Sequence, residues 1–76
     1  MGRYYFNVRR DETVFEDRTG CLLPGITDAW HWALKDALAL VREGVLDRVN
    51  HRYWMEVCDE EHRAVLAFPI GRVTIQ

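Results

Sequence analysis

Cys58, Asp59 and His62 come closer than any other group in this chain to a metal or nucleophile motif. Zinc requires three or four converging ligands at recognisable spacing, and here one loose pair spans a charged turn. A half-buried thiol beside a surface histidine is the simpler reading. Cys21 stands far from Cys58, with no spacing typical of redox or zinc pairs. Both cysteines therefore read as free thiols, which suits a reducing cytoplasm. The carboxylates collect at two turns, Asp11, Glu12, Glu16 and Asp17 at one, Asp59, Glu60 and Glu61 at the other. Acid/base catalysis needs surroundings that drive two carboxyl pKa values apart, and solvated turns do not provide them. The sequence contains no Ser-His-Asp or Cys-His signature, phosphate-binding glycine loop or metalloprotease helix. The expectation is a non-enzymatic protein with no catalytic residues, no cofactor and no metal.

Two non-catalytic chemistries remain. Arg3, Tyr5 and Arg9 share one face of a strand, and Arg52 and Trp54 extend it. Basic residues interleaved with aromatics on a sheet can stack and neutralise single-stranded nucleic acid. Against that stand Glu56 and Glu16 on the same face and a net charge of −2, which leaves no basic footprint. The second chemistry is association through apolar surface. Tyr5, Trp54 and Val65 on the sheet, with Trp32, Leu34 and Leu38 on the helix, are more large apolar groups than a single core accommodates. Trp, Tyr and Arg also dominate interface energetics. Self-association, usually as a two-fold dimer, ranks first. An unidentified protein partner is the variant of that reading, and nucleic acid ranks second.

The elements that position these groups follow from periodicity. Arg3 to Arg9 alternates, with Tyr4, Phe6 and Val8 on one side and Arg3, Tyr5, Asn7 and Arg9 on the other. Thr13 to Glu16 reads as a short return strand. Asp11-Glu12 is not a favoured two-residue turn, so a longer loop is expected. Asp17-Arg18-Thr19-Gly20 turns the chain, with Gly20 free to adopt positive φ. A helix is expected from Thr27, capped by Thr27 or Asp28, to Glu43, with Gly44 as its C-terminal stop. Its apolar arc spans about half the circumference at 100° per residue and centres on Ala29, Ala33 and Ala37. Trp32 falls among the charges opposite. Tyr53 to Cys58 and Val65 to Ile70 form a closing hairpin, and Pro69 confines the last strand to an edge or breaks it. Val73 and Ile75 add a short tail strand. The segment from Val45 to Arg52 connects helix and hairpin.

Arg3-Tyr4-Tyr5-Phe6-Asn7-Val8, Asp17-x-x-Gly20, Leu23-Pro24, the alanine-rich helix, Met55-Glu56-Val57-x-Asp59 and Val65-Leu66-x-Phe68-Pro69 together resemble a family of short bacterial proteins of unknown function. The resemblance runs through nearly the whole chain. It implies a strand-strand-helix-strand-strand α+β domain with no assigned activity. Three positions depart from the family pattern. His62 stands where the family often has glycine, so that turn must differ or hold His62 strained. Trp30 and Trp32 stand where the family's helix usually carries charged or small residues.

The reading is thus one α+β domain over residues 1–76, with one helix packed on a four-stranded, mainly antiparallel sheet. Tyr4, Phe6, Val8, Phe15, Leu23, Ile26, Ala29, Ala33, Ala37, Leu40, Met55, Val57, Leu66 and Phe68 are its expected core. At 76 residues such a domain buries only roughly 60% of its unfolded surface, so its own stability is modest. No segment is long and apolar enough to span a bilayer, and the N-terminus lacks signal-peptide and myristoylation patterns. The expected location is cytoplasmic, with no membrane partner.

Overall fold

A computed structural model describes residues 1–71, so the tail strand expected at Val73 and Ile75 lies outside the described residues. The chain runs β1 (Gly2–Arg10), β2 (Thr13–Phe15), β3 (Cys21–Leu23), α1 (Ile26–Glu43), β4 (Tyr53–Cys58) and β5 (Ala64–Ile70). The α+β class and the strand-helix-strand order are as expected, but the sheet has five strands, not four. Its order is β2-β1-β4-β5, and β3 also pairs with β1. Every pairing is antiparallel. β2 takes residues 8–10 of β1 and β3 takes residues 2–4, so the two short strands share one edge of β1. The sheet is five-stranded but four strands wide.

The gap between β2 and β3 exposes the edge of β1 at Phe6, and Asp17 fills it. The Phe6 N–H donates to Asp17 Oδ2 at 3.2 Å, while the N–H groups of Thr19 and Gly20 donate to Oδ1 at 3.0 and 3.1 Å. Asn7 Oδ1 accepts the Asp17 N–H at 2.8 Å. Partial burial works against the charged carboxylate. The amides of Gly20, Phe6 and Thr19 outweigh it and hold Asp17 below its ordinary 3.8. Gly20 is required twice over. Its φ is +72°, and a Cβ there would stand 3.0 Å from the Tyr4 carbonyl oxygen.

The first hairpin is tighter than expected. Arg10 pairs with Thr13, leaving only Asp11 and Glu12 in the loop, with Asp11 at φ +53°. The strain is held from outside. The Asp11 N–H donates to the Arg52 carbonyl at 2.8 Å, and its carboxylate accepts from the Arg52 N–H at 3.0 Å and meets His51 Nδ1 at 2.6 Å. The hairpin is therefore set by the approach to β4 and not by local turn preference.

Phe6, Met55, Val57, Tyr53 and Ile70 form the sheet side of the core, and Ala29, Ala33 and Ala37 form the helix side. Met55, Val57, Ala29 and Ala33 are fully buried. Alanines at four-residue spacing let α1 lie close on the strands. Phe15 stands opposite Val8 but is 49% exposed, because β2 is at the sheet margin beyond the reach of one helix. Ile26, at the first turn of α1, is also exposed, and Leu40 is only half-buried. The expected Thr27 or Asp28 cap is replaced by extended Gly25 with no side-chain cap. Gly44 closes the helix in the left-handed region, as anticipated.

Two outcomes follow. Ala33→Leu should lower stability by about 1–3 kcal/mol, seen as a lower thermal midpoint, because the added methylenes have no space. Asp17→Ala should cost about 1–3 kcal/mol through the unpaired Phe6 N–H. The Asp17 carboxyl is depressed in the folded state, so its stabilisation is present above about pH 4 and is lost as pH falls through the folded value. Urea midpoints measured between pH 7 and pH 3 should fall less steeply in Asp17→Ala than in the wild type.

Candidate interaction surface

Residue pairing sorts the predicted site residues onto separate surfaces. Tyr5, Asn7 and Arg9 of β1 lie opposite Cys58, Glu56 and Trp54 of β4 on the sheet face away from α1. Arg3 continues this face along β1, and Arg52 sits just before β4. The face is largely paired within itself. Arg9 Nη2 lies 3.3 Å from Glu56 Oε2, and Arg3 Nη1 donates to the Thr19 carbonyl at 2.9 Å. Tyr5 stacks on His62 with ring centroids 5.9 Å apart. His62 takes φ +63°, so the second turn holds a non-glycine residue in the left-handed region.

An open cleft of about 600 Å³ on this face is lined by Tyr5, Asn7, Glu16, Asp17, Arg18, Cys58 and His62. It brings Cys58 and His62 together, but Asp59, the third member of the metal reading, does not line it. Among the described residues, no group of three or more His, Cys, Asp or Glu side chains is arranged to hold a metal ion. Burial first, then the Glu56 and Asp59 carboxylates, push the Cys58 thiol above its ordinary 9.0, against a weak Asn7 Nδ2 contact at 3.6 Å. The thiol is therefore protonated near neutral pH. Asp59 is occupied as a turn organiser, accepting the N–H groups of Glu61 and Arg63 at 2.9 and 3.0 Å and pairing with Arg63 Nε at 3.2 Å.

Val65 leaves the outer face altogether. Val57 pairs with Leu66 but Cys58 pairs with Ala64, so a bulge puts Val65 out of alternation, and it packs against the core. Trp32 is exposed on the far side of α1, with Lys35 Nζ 5.5 Å from its ring centre. Leu34 and Leu38 belong to a third surface. Ile26, Trp30, Leu34 and Leu38 recur every four residues along α1 and are 48%, 37%, 40% and 50% exposed. They form one apolar ridge beside the buried alanines, and Trp30 meets Phe68 edge-on at 5.2 Å. Ile26 and Trp30 were absent from the predicted surface. The width of the apolar arc was the available signal, since a flat sheet covers less than half of a helix.

The chain matches the model of a domain of unknown function, DUF6894, over residues 3–71. It belongs to that family. The match spans every described element, including the Asp17 turn and both hairpins. The resemblance seen in the sequence is thereby borne out as membership of a family without an assigned function. No curated protein and no solved structure matches the chain. No helix among the described residues is long and apolar enough to cross a membrane.

The DUF6894 cleft carries a direct test in Cys58. Alkylation by iodoacetamide, followed by mass spectrometry of the Cys58 peptide, should be slow at pH 7 and keep rising with pH through 9 and beyond. Fast, pH-independent alkylation at pH 7 would instead reveal a stabilised thiolate.

Proposed function

We propose that this domain is a small non-enzymatic interaction module that associates with itself. One observation carries the reading. Among the described residues, eight hydrophobic side chains are buried and only Met55 and Val57 are both large and fully buried, while twelve large hydrophobics are exposed. A single core in a domain of this size supplies only modest stability, and disulfides, a metal or oligomerisation are the usual additions. Cys21 and Cys58 are free, and they lie on opposite faces of the sheet. A second polypeptide that covers the exposed hydrophobics would supply such an addition.

The non-catalytic part of the reading is supported by the protonated Cys58 thiol and by acidic side chains committed to turns. The nucleic-acid alternative loses ground to the internal pairing of Arg9 with Glu56 and of Arg3 with Thr19. Sedimentation velocity from micromolar to millimolar protein tests the proposal. The weight-average mass should rise toward twice 9.0 kDa with concentration. A constant mass of one chain throughout would overturn it.

A further inference from the structure

A second hollow lies where the connector before β4 meets the end of β5, apart from the Cys58 cleft. It is open, about 530 Å³ in volume, and its lining includes Arg48, His51, Arg52, Trp54, Pro69 and Gly71. That volume falls in the range of small-molecule sites. No carboxylate lines it, although acidic residues outnumber basic ones in the chain, 12 to 10. Two neighbouring carboxylates are taken up outside it, Asp11 by His51 Nδ1 at 2.6 Å and Asp47 by Asn50 Nδ2 at 2.8 Å. Asp11 balances any charge on His51, so recognition falls to the two arginines. Arg48 Nη1 donates to the Gly71 carbonyl at 2.8 Å, which ties its guanidinium to the wall. Asp11 holds the Arg52 carbonyl and N–H at 2.8 and 3.0 Å. The exposed Arg52 side chain makes no hydrogen bond or ion pair among the described residues. Trp54 is 40% exposed and stands directly across from Pro69.

We propose that this hollow binds a small planar aromatic anion, its ring against Trp54 and Pro69 and its phosphate or carboxylate on Arg48 and Arg52. Guanidinium groups suit both anions because their paired N–H donors match two oxygens at once. An indole face beside them holds a flat ring whatever its substituents, since every such ring has a π-face to stack. The site takes one ring and one anion, not a nucleic-acid strand. Beyond Trp54 the same sheet face continues into the Arg9–Glu56 ion pair, and Arg3 is bonded to the Thr19 carbonyl. A second phosphate therefore meets no free cation along β1. Ligand capture here does not depend on self-association.

Isothermal titration of the full chain with adenosine monophosphate and with indoleacetate tests the assignment. At least one should bind saturably below about 10 mM, and which of them binds distinguishes phosphate from carboxylate. Adenosine, which lacks the anion, and inorganic phosphate, which lacks the ring, should each bind tenfold or more weaker. Arg52→Ala should weaken binding tenfold or more and Trp54→Ala fivefold or more, with folding checked by circular dichroism. Arg18→Ala removes the same charge at the Cys58 cleft and should leave binding unchanged. In the wild type, amide NMR shifts should move from Arg48 to Trp54 and at Gly71. The site is overturned by no saturable binding of either anion, by equal loss in Arg18→Ala, or by shifts confined to other residues. Inorganic phosphate that binds as tightly as the mononucleotide would overturn the aromatic ligand. Affinity that climbs tenfold or more from the mononucleotide to a short single-stranded oligonucleotide would overturn the small molecule in favour of nucleic acid.

Discussion

The architecture depends on one carboxylate. β1 has two short partners along a single edge, and the chain between them must leave the sheet and return without stranding the backbone. Asp17 does this by accepting the Phe6 amide where neither strand reaches it, while closing its own turn on Thr19 and Gly20. Asn7 in turn holds the Asp17 amide, so the turn and the strand fix each other. Without that exchange, β3 has no reason to stay in register with the start of β1, and the approach to α1 is lost with it.

Small residues set the second constraint. Ala29, Ala33 and Ala37 bring α1 down onto Met55 and Val57, and the price is a thin core. A helix seated that closely covers a narrow strip of sheet. Larger side chains on its flank, from Ile26 to Leu38, are left beside the core and not within it. The exposed ridge and the tight helix–sheet contact are thus two results of one choice of residue.

Local patterns made much of this fold legible. Alternation located β1, β4 and β5, and Gly44 marked the end of the helix. β3 was invisible because three residues, Cys21 to Leu23, are too few for a period. The two-residue hairpin was missed because Asp11 is held by Arg52 and His51, some forty positions away. Val65 was misplaced because a bulge shifts alternation without a sequence mark. The candidate surface was half legible. Leu34 and Leu38 were recognised, but Ile26 was assigned to the core and Trp30 was left out of the surface, because periodicity gives the direction of a side chain and not the width of what it faces. Tyr5 and Trp54 were placed on the correct face, whose internal pairing could not be read from spacing.

The position of β1 has a consequence for how the chain reaches its native state. The first strand synthesised is the one bonded to three others, and its main partner is β4, with Tyr5 opposite Cys58. Contacts this distant in sequence make folding slow to nucleate and cooperative once begun. During translation β1 can meet β2 and β3 early, but its other edge must wait until β4 has left the ribosome. No N-terminal fragment that stops before β4 can complete the sheet, so the domain folds as a single unit after its synthesis is nearly finished.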